Sequence, residues 1–211
     1  MSPRTADASV RTALIEAAAR LIADKGTEYL TLRRLADEVG TSTMSVYTHF
    51  GGMEELRREV RREGFARLAT HLAGVEQGSD PIADLTLLGL AYYRNGNANP
   101  NLYRVMFMER PLDETDASAG IDTFTVLVSG VARCIAAERL DRTDPAELAT
   151  QLWAVVHGFV TLELAGLLPP AQALHSLFAT AQSLSRAYGD DPHAAARSVA
   201  AARRRAGLHE T

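Results

Sequence analysis

The side chains best suited to recognition chemistry lie close together in the segment TSTMSVYTHF at residues 41–50. Hydroxyl groups can bond to phosphates or to the edges of bases, and a methionine can pack on a thymine methyl group. Helical spacing makes Val46 and Phe50 the buried face of a short helix. The residues then expected to look outward are Thr43, Met44, Ser45, Tyr47, Thr48 and His49. A helix with such an outward face fits the major groove of DNA.

Two short helices and one glycine are predicted to position these side chains. The first helix, at residues 32–39, has an apolar stripe at helical spacing, and the hydroxyl of Thr31 can cap its start. Gly40 supplies the left-handed residue that ends a helix and turns the chain. Ser42 can then cap the second helix, which is expected to run to about His49. The pattern predicts a helix-turn-helix.

At these residues the chain resembles a known family. The residues that carry the resemblance are Thr31, Leu35-Ala36, Gly40, Ser42, Val46-Tyr47, His49-Phe50 and Glu54-Glu55-Leu56. This pattern resembles the N-terminal domain of the TetR family of transcriptional repressors, and an amphipathic helix at residues 10–25 supplies the expected preceding helix. The resemblance implies an all-α fold, with a three-helix helix-turn-helix domain at residues 1–55 and a larger helical ligand-binding and dimerisation domain at 56–211.

The resemblance also implies particular contacts with double-stranded DNA. By matching family positions, the residues expected to touch phosphates are Thr31, Tyr47 and His49, and the candidates for base edges are Arg33, Thr43, Met44, Ser45 and Thr48. The chain departs from the family at Met53, where most members carry a lysine that contacts a phosphate. We therefore expect DNA binding to depend less steeply on salt than in members that have this lysine.

Composition limits the remaining possibilities. The chain has 211 residues, 46% hydrophobic residues and a net charge of −4, which argues against a nonspecific nucleic-acid coat protein. Residues 1–52 contain six basic and six acidic residues, so any basic face must come from their placement. The single Cys134 fits a reducing cytoplasm. No signal peptide and no apolar run long enough to span a membrane is present, so no membrane partner is expected.

The rest of the chain is predicted to form helix after helix. Three start signals place a capping side chain before a proline, at Asp80-Pro81, Asn99-Pro100 and Asp144-Pro145. The longest apolar helix is expected at about 145–167, and a ridge of small residues along it suits close approach of another helix. Its residues Trp153, His157 and Gly158 also resemble the WHG class of TetR-type C-terminal domains. That resemblance implies a homodimer that encloses a pocket for a small-molecule effector.

Mostly aromatic residues from several of these helices are candidates for the pocket, although for most of them ordinary core packing is the favoured role. The candidate effector-binding residues are Tyr92, Tyr93, Tyr103, Phe107, Phe124, Trp153, His157 and Val160. His157 could anchor a polar group in a mostly apolar site or be a hydrogen-bonded core histidine. No cofactor and no metal site are expected, because no second His or Cys lies at i+3 or i+4 from His157.

Three functions are compared. The first is a DNA-binding regulator that acts as a homodimer on a palindromic operator, most simply a repressor released by a small apolar or aromatic molecule. The second is an enzyme, in which Cys134 would be a nucleophile and His157 its base. No phosphate-binding loop or nucleophile elbow supports it. The third is a helical interaction module whose helix-turn-helix has lost DNA binding.

Overall fold

A computed structural model describes residues 3–208, with side chains described from residue 7 onward. Within that range the chain is helical and contains no strand, which confirms the predicted all-α fold. The helices in chain order are α1 Pro3–Lys25, α2 Leu32–Val39, α3 Thr43–Phe50, α4 Met53–Ala73, α5 Pro81–Ala98, α6 Pro100–Phe107, α7 Glu114–Ala117, α8 Ile121–Ala136, α9 Pro145–Leu164, α10 Pro170–Ala187 and α11 Pro192–Arg205. The ends of the two expected domains, residues 1–2 and 209–211, lie outside the described residues.

The predicted start and stop signals around α2 and α3 are confirmed. The Thr31 hydroxyl accepts a hydrogen bond from the Arg34 backbone N–H at 3.4 Å, and the Ser42 hydroxyl accepts one from the Ser45 N–H at 3.3 Å. Gly40 adopts the left-handed conformation, with φ 71° and ψ 36°, and so ends α2. These caps fix both ends of the turn, so the orientation of α3 follows from local chemistry.

One expected cap is wrong, and two other cap predictions hold. Asp80 accepts hydrogen bonds from the backbone of Ile82 and Ala83, and Asp144 caps α9. Asn99 makes no capping hydrogen bond to α6. Its Oδ1 accepts instead from the Arg67 guanidinium at 2.8 Å, because a charged donor forms a stronger hydrogen bond than a backbone amide.

The chain divides into two compact units. The N-terminal unit contains residues 1–67 and 99–120, and the C-terminal unit contains residues 68–98 and 121–211. This division differs from the expected one between residues 55 and 56. The first unit keeps most of α4 and gains α6, because Leu102 and Val105 of α6 are buried in the same core as the helix-turn-helix.

The core of the N-terminal unit explains why the helix-turn-helix is rigid. Leu14 and Ile15 of α1, Leu35 of α2 and Val46 of α3 are almost completely buried in one cluster, which α4 joins through Leu56. Each of these side chains contributes roughly 1.5–3 kcal/mol by leaving water. The apolar face of α3 therefore anchors the helix, and its other face remains available for contacts.

The C-terminal unit combines an apolar core with a buried carboxylate. Its core includes Ile82, Val131 and Leu148. Asp84 lies beside this cluster and is only 3% exposed, but it accepts hydrogen bonds from the Arg205 guanidinium at 2.6 Å and from the Gly78 backbone at 2.9 Å. These bonds stabilise its charge and hold its pKa below the usual value in spite of burial, and they fix α11 to α5.

One helical stretch of the described chain, Glu114–Ala136, is long and apolar enough to cross a membrane by length and composition, with a mean hydropathy of 1.4. The stretch is not an unbroken apolar run, since Asp116, Asp122 and Arg133 interrupt it. A 3-10 turn at Ser118–Gly120 also divides the stretch into α7 and α8. A single stretch of this kind does not indicate a membrane protein.

Candidate nucleic-acid interface and effector region

The outer face of α3 presents side chains that suit a DNA groove. Met44 is 66% exposed and Tyr47 is 48% exposed, which is unusual for large apolar and aromatic residues. Thr43 and Thr48 are exposed beside them. The Thr48 hydroxyl donates to the Met44 carbonyl at 2.9 Å, so its oxygen remains an acceptor for a base amino group.

Two of the residues expected to look outward, Ser45 and His49, are half-buried instead. The Ser45 hydroxyl lies 2.8 Å from the Thr41 hydroxyl. The His49 side chain is only 10% exposed, and its Nε2 lies 3.4 Å from an oxygen of Asp7. The physical reason is that neighbouring side chains cover them: Thr41 contacts Ser45, while Asp7 and the Phe50 ring contact His49.

The start of α2 carries the other predicted DNA-binding residues. Thr31 is exposed, and the Arg33 side chain is 91% exposed. Arg33 has only a 4.0 Å contact with Asp37, which is itself 75% exposed, so solvent screens this pair strongly. Arg33 can therefore move to another hydrogen-bonding partner at little cost.

In the C-terminal unit, four of the predicted effector-binding residues form one aromatic cluster. The Trp153 indole N–H donates to the Tyr92 hydroxyl at 3.1 Å, and the same hydroxyl lies 3.1 Å from His157 Nδ1. Phe124 contacts the edge of Trp153, with 6.2 Å between ring centroids. The cluster joins α5, α8 and α9 and places polar atoms among aromatic rings.

Burial determines the charge of His157. It lowers the pKa of the imidazole below its ordinary value of 6.5, because a charged ring would lose hydration there. A neutral His157 has one ring nitrogen that donates and one that accepts, and its tautomer sets which atom of the Tyr92–His157 pair donates. Such a ring is able to orient a polar group of a ligand.

The other two predicted residues of the C-terminal unit have different surroundings. Tyr93 is buried, and its hydroxyl donates to the Glu163 carboxylate at 2.5 Å. Burial and this hydrogen bond raise the pKa of Tyr93. Val160 is completely buried. Glu163 was not among the predicted residues, and its place between Leu162 and Leu164 near the end of α9 is the signal that could have found it.

Tyr103 and Phe107 belong to the N-terminal unit, where they lie on α6 with 4.9 Å between their ring centroids. Phe65 of α4 contacts the edge of Phe107 at 5.7 Å. This unit also contains a shallow surface cleft whose lining includes the charged side chains of Arg57, Arg61 and Asp116. None of the predicted effector-binding residues lines that cleft.

The structure argues against Cys134 as the nucleophile of an enzyme. Cys134 is completely buried, and its thiol donates to the Pro81 carbonyl at 3.3 Å. Burial raises the pKa of Cys134 to about 12, so the reactive thiolate is almost absent near neutral pH. In the described part of the chain no group of three or more His, Cys, Asp or Glu residues is placed to hold a metal ion.

A capped helix-turn-helix with an exposed second helix, followed by a helical domain, defines the class of helix-turn-helix DNA-binding regulators. Two family models match this chain. Residues 14–60 match the tetR family of bacterial regulatory proteins, and residues 85–187 match the tetracyclin repressor-like C-terminal domain. Together these segments cover most of the chain, which belongs to the TetR family of transcriptional regulators.

Individual relatives agree with this assignment. An uncharacterised HTH-type transcriptional regulator of Mycobacterium tuberculosis is 28% identical over 162 residues, which span 75% of this chain and 72% of that protein. The repressor KstR2 of Mycolicibacterium smegmatis is 32% identical over 96 residues, 44% of this chain and 47% of its own length. The repressor AcnR of Corynebacterium efficiens is 39% identical over 71 residues, 33% of this chain and 38% of its own length. The chain thus spans less than half of these two repressors.

Solved structures share the fold. A protein of unknown function from Rhodococcus sp. RHA1 superposes with a TM-score of 0.73 at 25% identity, covering 86% of this chain and 96% of that one. The TetR-family regulator PfmR of Thermus thermophilus has a TM-score of 0.70 at 20% identity, over 82% of this chain and 97% of that one. The similarity of fold to these two structures therefore includes C-terminal helices as well as the helix-turn-helix.

Proposed function

We propose that this regulator acts as a homodimer that binds a palindromic operator and is released from it by a small apolar or aromatic molecule. In this proposal it is a cytoplasmic repressor. The single observation that carries the DNA-binding part is the exposed face of α3, where Met44 and Tyr47 are uncovered although both are large. A protein that used α3 only for folding would gain by burying these side chains.

The proposed contacts follow from the matched family positions, and the exposure of Thr31, Arg33, Thr43, Met44, Tyr47 and Thr48 supports six of the eight. Thr31, Tyr47 and His49 contact phosphates, and Arg33, Thr43, Met44, Ser45 and Thr48 face the bases. The full exposure of Arg33 supports its role, because a guanidinium can bond to a guanine with two N–H groups. The His49 side chain is mostly covered and lies next to Asp7. We therefore expect its phosphate contact to contribute less to DNA affinity than that of Tyr47.

Homodimer formation is proposed through the ridge of small residues on α9. Ala154 on α9 and Ala165 just after its end are exposed, and a Cβ at Gly158, between them, would meet no atom within 4 Å. Leu162 on the same helix is 43% exposed. A small ridge beside an exposed leucine allows a second helix to approach closely. Two α3 helices would then need to lie roughly 34–36 Å apart, or a multiple of this distance, to enter successive major grooves.

The effector is proposed to bind at the aromatic residues of the C-terminal unit. Tyr103 and Phe107 belong to the N-terminal unit, and a role for them in effector binding stays a prediction. The hydrogen-bonded group of Tyr92, Trp153 and His157 supports this role, since it offers polar atoms among apolar rings. An effector with higher affinity for the form that does not fit DNA shifts the population of the dimer towards that form. The WHG type of the C-terminal domain stays a prediction, as does the role of residues 56–211 as one functional domain.

The proposal is tested by operator binding. A palindromic site upstream of the protein's own gene is located by nuclease protection, and affinity is then measured by fluorescence anisotropy. Arg33→Ala and Tyr47→Ala should each weaken binding by about five- to 150-fold, because each removes a contact worth about 1–3 kcal/mol. Glu147→Ala, on the first turn of α9, is a control and should leave the affinity unchanged.

The outcomes separate the proposed functions. Full affinity in both variants would exclude the assigned contacts. If the wild-type protein protects no site and binds no duplex, the helical interaction module becomes the better description. Binding that persists while effector candidates fail to release it would support a regulator that does not respond to a ligand.

A further inference from the structure

The N-terminal unit neutralises most of its arginines internally. Arg20 pairs with Glu38 at 2.6 Å, Arg61 with Asp116 at 3.1 Å and Arg62 with Glu55 and Glu59 at 2.7 Å each. Arg11, Arg58 and Arg67 also have carboxylate partners. These guanidinium charges are compensated where they lie, so they add little to the field that an approaching polyanion meets.

Arg34 is different from its neighbours in the helix-turn-helix. No carboxylate of the described chain lies within 4.0 Å of its guanidinium, whereas Arg33 at least touches Asp37. Both arginines lie in the first turn of α2, which contains no acidic residue. A cation is unfavourable at the positive end of a helix, and an anion bound there removes this cost. Basic and acidic residues balance in number over residues 1–52, but the start of α2 therefore has an uncompensated positive charge.

Tyr29 holds the Arg34 side chain in a defined place. The Arg34 guanidinium lies over the Tyr29 ring, 4.9 Å from its centroid, and it donates to the Tyr29 carbonyl at 3.3 Å. Tyr29 is 46% exposed, so the pair lies at the surface. Stacking fixes the plane of the guanidinium, and the hydrogen bond to the Tyr29 carbonyl uses only one of its five N–H donors. The remaining donors form a preoriented group for an oxygen anion.

We propose that Arg34, oriented by Tyr29, is a further contact to the phosphate backbone of the operator. This inference rests on the proposed placement of α2 and α3 against DNA. Arg34 supplies charge without reading sequence, because its guanidinium is stacked at the start of α2 and does not extend from α3. Tyr29 is a positioning residue that acts through Arg34.

The test measures how affinity changes with salt. A protein that loses one phosphate contact releases fewer counterions, and the slope of log affinity against log salt becomes about 0.9 less steep on duplex DNA. Operator and unrelated duplexes are titrated by fluorescence anisotropy from about 50 to 300 mM KCl. Arg34→Gln should weaken binding to both duplexes by a similar factor of about ten at low salt and should reduce this slope. Arg34→Lys should restore the slope, since it restores the charge.

Two further comparisons separate a DNA contact from a structural role. Tyr29→Leu removes the stacking and should weaken binding less than Arg34→Gln, with an unchanged slope, whereas Tyr29→Phe retains the ring and should behave as the wild type. Arg62→Gln is the matched control, because Arg62 is similarly exposed but already paired with two carboxylates. It should leave both affinity and slope unchanged. Thermal unfolding of every variant checks that the unit remains folded.

The possible results distinguish failure of the Arg34 contact from failure of the proposed function. An Arg34→Gln protein with the slope of the wild type overturns the inference, even if Arg33→Ala and Tyr47→Ala abolish binding. A loss confined to the operator would also overturn it, because it would mean that Arg34 reads bases. If the wild-type protein binds neither duplex, both the proposed function and this inference are wrong.

Discussion

The charge state of His157 makes the stability of the C-terminal unit depend on pH. Burial lowers the pKa of His157 in the folded chain, while the unfolded chain binds the proton near 6.5. Below pH 6.5 the unfolded state therefore binds more protons, and acid favours unfolding. The contribution of this residue is complete above pH 6.5 and is lost as the pH falls below that value.

His157→Gln should flatten this dependence. Between about pH 7.5 and 5.5 the free energy of unfolding of the wild type should fall more than that of the variant, since glutamine does not titrate. Urea unfolding of both proteins at several pH values, followed by circular dichroism, measures the difference. Identical pH profiles would mean that His157 titrates as it does in the unfolded chain.

Individual residues were predictable where the cause is local. The caps at Thr31 and Ser42 and the left-handed Gly40 follow from side-chain chemistry within three or four positions. The pairing of Tyr93 with Glu163 joins residues that are 70 positions apart, so sequence spacing contains no signal for it. The sequence did not predict the burial of His49, because this residue lies at the border between the buried and exposed faces of the short helix α3.

Among the helices, α4 is joined to the chain that follows α6 by a buried ion pair. The Arg61 guanidinium bonds to Asp116 at 3.1 Å, and both side chains are almost inaccessible to water. Arg61 also donates to the backbone carbonyls of Met106 and Glu109. Removing one partner of a buried pair leaves the other charge without compensation, and this is far more costly than the loss of a surface pair.

Asp116→Ala should therefore lower the free energy of unfolding by about 3–5 kcal/mol. Glu38→Ala is the matched control, since it breaks the pair of Arg20 and Glu38, whose side chains are about half exposed. That change should cost at most about 1 kcal/mol. Urea denaturation measures both variants. Equal small losses would mean that water or another group compensates Arg61.

The helices themselves were largely predictable, and their ends less so. Proline and aspartate mark the starts of α5 and α9 as expected. The sequence suggests that α8 continues to Glu138, but the helix ends at Ala136. Glu138 itself adopts a left-handed conformation, with φ 54°, at a position where glycine is the usual signal. The short α7 was missed because four residues give no periodicity.

For the whole molecule, the proposed function requires two copies held at a fixed separation. Gly158→Leu tests the proposed contact between them. A Cβ at this position meets no atom of its own protomer within 4 Å, so the side chain should fit the folded chain. Replacing glycine within a helix also adds helical propensity. The same side chain would obstruct a closely packed partner helix.

We expect Gly158→Leu to sediment as a monomer at concentrations where the wild type is a dimer, without loss of thermal stability in the isolated chain. Analytical ultracentrifugation measures the association, and operator affinity should fall with it, because both half-sites need a protein copy. Gly89→Leu on α5 is the matched control, since a Cβ there likewise meets no atom within 4 Å and the position lies outside the proposed interface. A dimer that persists in Gly158→Leu would place the interface elsewhere.

The division into domains was the least predictable property. The resemblance to a family marks the helix-turn-helix, but it does not show that Leu102 and Val105 complete its core from more than 40 residues further along the chain. Such a contact depends on tertiary packing, and no local pattern encodes it. For the same reason, residue type and helical face could suggest the eight candidate effector-binding residues, but the sequence could not show which compact unit each belongs to.

The burial of Cys134 makes this chain convenient for spectroscopy. It is the only cysteine, and its thiol is inaccessible and protonated at neutral pH. A thiol introduced at the surface, for example by Glu54→Cys on the first turn of α4, would be the sole target of a nitroxide reagent. In the proposed homodimer, pulsed dipolar measurements between the two nitroxides would then report the distance between the two helix-turn-helix units, with and without a candidate effector.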